Sequence, residues 1–187
     1  DEVTGSKDFI RANFPKMVHL IGSAAYKNNG TMVLGTAEGG LKMTLYYINS
    51  LQLDPEFLNY YYFKTMHHEF AHILHQTKPY PSDFEMISGT DYVADTWHDV
   101  YKTDSEAQAA GIVSPYASKE ANEDFVELLS IYVTNTPEYW NNIIANAGAG
   151  ADKINAKFEI VYNYMLTSWN IDLNELRDNI QTRQAQI

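Results

Sequence analysis

Apolar and polar positions follow two different rhythms along this chain, and the rhythm changes near residue 54. Before that point, Met17-Val18-His19-Leu20-Ile21, Thr31-Met32-Val33-Leu34 and Leu41-Lys42-Met43-Thr44-Leu45-Tyr46-Tyr47-Ile48 are short β-rich runs. Asn28-Asn29-Gly30 and Gly39-Gly40 separate them as turn signals. Together they predict a small, mostly antiparallel sheet in the N-terminal third, preceded by a short helix around residues 6–13. From Asp54 onward the period becomes helical. Asp54 suits the N-cap and Pro55 the first helical position, and residues 55–76 then run without a breaker. Phe63, Met66, Phe70, Ile73 and Leu74 fall on one side of that helix, which predicts that its back packs in the core.

Residues 77–103 contain Pro79, Pro81 and Gly89, lack a clean period and read as an ordered loop region. Further helices are predicted over 104–110, stopped by Gly111, then about 118–134, 137–147 behind Thr136 and Pro137, 151–168 and 172–184. A sheet-forming start and a helical C-terminal half, with no repeat or linker between them, predict one α+β domain over residues 1–187.

The polar side of the helix over 55–76 carries His68-Glu69-Phe70-Ala71-His72. Residues four apart lie one above the other on a helix, so both imidazoles can share one zinc ion, with Glu69 about 100° further round, beside a metal-activated water. From this chain's own His and Glu frequencies, an HExxH match arises by accident roughly once in a hundred such chains, so the motif needs a third ligand and a catalytic helper.

Composition narrows the chemistry. The chain has no cysteine, which leaves no disulfide framework, thiolate nucleophile or cysteine-based zinc site; zinc here must sit on His and carboxylate. A net charge of −11 over 187 residues repels nucleic acid and anionic lipid. With 45% hydrophobic and 13% aromatic residues the chain can build a substantial core, and its 14 tyrosines read mainly as amphipathic packing residues. No apolar stretch approaches the roughly 20 residues of a membrane span. The sequence opens on Asp1-Glu2 without Met or a hydrophobic leader, the expectation for a processed or trimmed polypeptide whose upstream residues are missing.

Two sources compete for the third ligand. Histidine at the metzincin offset is excluded, because the residues there are His75 and Lys78. Gly89-Thr90-Asp91 resembles the aspzincin Gly-Thr-x-Asp element, with Asp91 one residue early. Alternatively, Glu123 and Glu127 share a face of the later helix, where one can bind zinc while the other orients a ligand. Solvated acidic residues would look the same in isolation, but Phe125, Val126, Leu128, Leu129 and Tyr132 make this helix amphipathic and internal, where carboxylates need partners. His67, turned away from the ligand face, reads as a neighbour; His75 lies near His68 on the wheel and could contact substrate or a ligand carboxylate; His19 and His98 read as structural.

His68-Glu69-Phe70-Ala71-His72, then Tyr116, then Glu123-Asp124-Phe125-Val126-Glu127 resembles the gluzincin arrangement of the anthrax lethal factor catalytic domain. The stretch from Ile21-Gly22-Ser23 to Leu34-Gly35-Thr36-Ala37-Glu38-Gly39-Gly40 further resembles the zinc-binding metallopeptidases known as substrate import-associated lipoproteins of Gram-negative gut bacteria. The resemblance spans about residues 15–134, and departs at Val126, where a small Ala is expected. It implies a zincin-like fold; Zn2+ on His68, His72 and Glu123; Glu69 as general base; and Tyr116 as oxyanion donor, which leaves Glu127, by its spacing from Glu123, as the residue expected to orient a ligand. A peptide or protein substrate follows from it, with outer-membrane uptake components as partners. Export follows as well, to the cell surface or periplasm, on a lipid anchor in an upstream segment. The alternative is a non-catalytic binding component of a nutrient-uptake system that keeps a structural zinc. By resemblance to other zinc peptidases, the strand over Leu41–Ile48 is expected to be the edge along which an extended peptide pairs.

Overall fold

The computed structural model describes residues 7–187, so the first residue of the helix expected over 6–13 lies outside the described residues. The helix itself is α1 (Asp8–Asn13). Five short strands follow: β1 (Met17–Leu20), β2 (Ala25–Tyr26), β3 (Met32–Val33), β4 (Gly35–Glu38) and β5 (Lys42–Leu45). β5 is the middle strand of a three-stranded sheet in the order β1-β5-β4. It pairs in parallel with β1, Met17 opposite Lys42, and antiparallel with β4, Gly35 opposite Leu45. β2 and β3 form a separate antiparallel ribbon, closed by the Asn28-Asn29-Gly30 turn. Among the described residues, two of the three strand pairings are thus antiparallel and one is parallel.

Gly39 and Gly40 hold φ of +56° and +71°, which lets β4 turn back into β5. Gly35 serves a different need: a Cβ there would lie 2.5 Å from Thr65 Cγ2, so only glycine lets β4 lie this close to the helix carrying the histidine motif.

That helix starts as expected. The Asp54 carboxylate accepts the Phe57 N–H at 2.8 Å, capping α2 (Pro55–Leu58). One π-helical turn, Asn59–Phe63, carries the chain into α3 (Lys64–Thr77) without a break. Ile73 and Leu74 are buried as the pattern predicts, whereas Phe63, Met66 and Phe70 line an apolar hollow of about 430 Å³ beside α1.

The region 77–103, expected to be an ordered loop, is partly helical. It holds α4 (Asp83–Ser88), a 3₁₀ turn at Ala94–Thr96 and α5 (Trp97–Val100). Helices this short show no period in sequence; fully buried Phe84 fixes α4 through the core. Then come α6 (Asp104–Ala109), capped by Thr103 and Glu106 in a capping box, a 3₁₀ turn at Tyr116–Lys119, and α7 (Ala121–Thr134). The remaining helices are α8 (Pro137–Ala147), capped by Thr136, α9 (Ala151–Trp169) and α10 (Leu173–Gln184).

α7 runs through the middle of the fold. Every residue from Glu123 to Thr134 is buried, against α3 on one side and α9 and α10 on others. A helix buried all round must be apolar or must pair its polar groups, and α7 carries three carboxylates, Glu123, Asp124 and Glu127. The partners of those carboxylates define the site.

Candidate metal centre

His68 and His72 project one turn apart from α3 toward α7, where Glu123 meets them. Its Oε2 lies 3.1 Å from His68 Nε2 and 3.2 Å from His72 Nε2. The three residues can offer ligand atoms within 4.8 Å of one another. Two imidazoles and a carboxylate are the donor set of an open, catalytic zinc site, and they are half-buried to buried, so the residues present fit the ion.

The far side of each histidine is occupied. His68 Nδ1 donates to Glu127 Oε1 at 2.9 Å, which leaves Nε2 to face the centre. Glu127 is itself held, its Oε2 accepting from Lys64 Nζ at 2.9 Å and Ser114 Oγ at 2.7 Å. His72 Nδ1 meets His75 Nε2 at 3.0 Å. Burial, then the neighbouring His72, pushes His75 down to about 4, so it stays neutral and can accept the His72 proton. The sequence offered substrate or a ligand carboxylate as the partner of His75; its partner is His72.

Burial opposes charge on His68, but its hydrogen bonds to Glu123 and Glu127 outweigh this and lift the imidazole to about 9. Both carboxylates are also penalised by burial. Glu123 is nonetheless held far below the usual range by His68, His72 and Lys119, and Glu127 is brought down to about 2, with Lys64 the main cause. Glu123 and Glu127 thus enclose His68 in a negatively charged cage, a place that attracts a cation.

Glu69 stands beside this cage. Burial raises its pKa, eased by His68 and His72 and by the backbone N–H of Ala37 on β4. Tyr116 enters from the 3₁₀ turn before α7, donating to Glu123 Oε1 at 2.9 Å, its ring edge-on to Trp97 and 5.8 Å from His68. Thus the six residues singled out in sequence, His68, Glu69, His72, Tyr116, Glu123 and Glu127, all line one cleft of about 1420 Å³. One wall is formed by residues 31–37, including most of β4, whose outer edge pairs with no other strand among the described residues.

Two expectations are corrected. The run Leu41–Ile48 is not an edge, because β5 is flanked by β1 and β4; of the two edge strands, it is β4 that borders the cleft. Asp91 does not join the histidines; it is 2.7 Å from Lys153 Nζ, and the aspzincin alternative falls with it. His67 donates its Nδ1–H to the Phe63 carbonyl and lines the apolar hollow, while His19 is exposed on β1 and His98 lies edge-on to Trp97. Sequence reasoning missed Lys64, Ser114 and Lys119, all polar partners of the two glutamates. Lys119 alone carried a local signal, its four-residue spacing from Glu123.

A family model described as "Putative zinc-binding metallo-peptidase" matches residues 1–174 of the chain. The chain belongs to this family. Among solved structures, this family member resembles one described as a putative zinc-binding metallo-peptidase from Bacteroides caccae ATCC 43185. The two are 45% identical, with a TM-score of 0.83 over 98% of this chain and 70% of that one. No curated protein matches. Among the described residues of this metallopeptidase-family chain, no helix is long and apolar enough to cross a membrane.

Proposed function

We propose that this protein is a zinc-dependent, gluzincin-like metallopeptidase. The observation that carries the proposal is the convergence of His68, His72 and Glu123 in a cleft that also holds Glu69 and Tyr116. A purely structural zinc needs neither a base nor a hydroxyl donor beside it. When bound, zinc polarises the scissile carbonyl and lowers the pKa of a water toward about 7.

The chain's own residues supply the rest. Glu69, its pKa raised by burial, accepts the proton of the attacking water and returns it to the leaving amine. Tyr116, whose pKa is held well above normal by burial and by Glu123, keeps its proton and donates a hydrogen bond to the oxygen where charge develops. The free edge of β4 can pair with an extended peptide and lay it across Glu69. The same reading takes residues 1–187 as one domain. It also carries export, on an upstream lipid anchor, to a surface where uptake components would be partners; the upstream sequence and surface labelling of cells test that part.

The decisive experiment is a diverse peptide library offered to zinc-loaded wild type and Glu69→Gln. Cleavage by wild type alone, with zinc still bound to both, is the expected result. Absence of cleavage by both would favour a binding component of an uptake system that retains its metal.

A further inference from the structure

Two donors converge on one oxygen of Glu123. Its Oε2 faces the histidines, whereas Oε1 accepts from Tyr116 Oη at 2.9 Å and from Lys119 Nζ at 2.8 Å. Both donors belong to the single 3₁₀ turn Tyr116–Lys119, and the Lys119 ammonium lies 5.8 Å from the Tyr116 ring. Tyr116 has one proton to donate, so it cannot serve Glu123 and a substrate oxygen together. As it turns to substrate, a buried carboxylate oxygen loses a donor, and such a loss is costly unless a second donor is already in place. Lys119 is that second donor. Among the described residues its other carboxylate contact, to Glu120 Oε1, is longer at 3.5 Å.

We propose that Lys119 is a positioning residue: it holds Glu123 Oε1 while Tyr116 changes partners, so that Oε2 keeps its direction toward the two histidines. The catalytic half of this inference rests on the metallopeptidase reading. The metal-holding half does not, because Oε1 needs a donor whether or not a peptide is cleaved.

The test is a double-mutant cycle read first as zinc affinity, by competition with a chromophoric chelator, on wild type, Lys119→Met, Tyr116→Phe and the double variant. Either single change leaves one donor on Oε1 and should lower affinity less than about threefold, while the double leaves none and should lower it more than about tenfold. Lys119→Arg, alone or with Tyr116→Phe, should keep the affinity of its Lys119 parent, and thermal melts of the zinc-free variants separate these effects from loss of fold. For cleavage the pattern should invert. Lys119→Met makes Tyr116 the sole donor to Glu123, so kcat falls about tenfold with KM little changed, and adding Tyr116→Phe then costs less than it does in wild type. Zinc affinities that simply multiply across the cycle overturn the proposal, as does Arg failing to replace Lys. A wild type that cleaves no peptide sinks the peptidase reading instead, and leaves the affinity cycle to judge Lys119.

Discussion

Glu127 does not offer an oxygen to the centre, yet it fixes what His68 presents there. By taking the Nδ1 proton it selects the tautomer whose Nε2 lone pair points inward. Replacing it with alanine removes that partner and strands Lys64, 31% exposed, beside an empty space. Glu127→Ala should therefore weaken zinc binding by roughly 10- to 100-fold, and Ser114→Ala by much less, as chelator competition would show. The same contacts set a pH dependence. Without metal, His68 titrates near 9 in the fold against its ordinary 6.5, so its stabilising contribution is complete below pH 6.5 and lost as pH rises through about 9. Zinc must displace that proton, so apparent zinc affinity should climb between pH 6.5 and 9. A flat profile over that window would mean the imidazole is already neutral. His68, Glu69 and His72 were legible because spacing along one helix is local information. The grip of Lys64 on Glu127 was not, since 63 residues separate them and only the fold brings them together.

At the scale of elements, the cleft depends on how closely β4 lies against α3. Gly35 faces Thr65 Cγ2 where a Cβ would sit at 2.5 Å, and Thr65 is β-branched, buried and stiff. Gly35→Ala should push the strand outward, lowering the melting temperature and, on the proposed reading, kcat/KM for extended peptides more than zinc affinity. Adding Thr65→Ser removes the obstructing methyl and should recover part of both losses; no recovery would place the clash elsewhere, the Thr44 carbonyl at 3.1 Å being the next atom. The sequence marked the turns on either side of β4 but not β4 itself. Gly-Thr-Ala-Glu has little strand character of its own and is extended because β5 pairs with it. α4 and α5 escaped for the converse reason, being too short to show a period. The helix over 55–76, with caps and length enough to declare itself, emerged almost where its pattern put it, apart from the π turn at Asn59–Phe63.

Across the whole molecule, α7 is pinned from several sides by its own carboxylates. Glu123 and Glu127 reach toward α3, while Asp124 turns the other way and meets Lys157 of α9 at 2.5 Å and Tyr92 Oη at 2.9 Å. Both Asp124 and Lys157 have no exposed side-chain surface. Nothing in the acidic run 120–127 distinguishes Asp124 from a solvated residue; its partner is 33 positions away and only packing joins them. A buried pair of this kind gives little net stability over an apolar replacement, but removing one member leaves an uncompensated charge. Lys157→Met should thus cost about 3–5 kcal/mol in denaturant unfolding of the zinc-free protein, and the double change with Asp124→Asn should cost clearly less. Because Asp124 points away from the histidines, zinc affinity of folded Lys157→Met should stay within about threefold of wild type, well short of the loss expected when a ligand's own partner is removed. A larger drop would show that the α7–α9 pair transmits the position of Glu123 to the metal centre, and would make that buried lysine part of the site rather than of the scaffold.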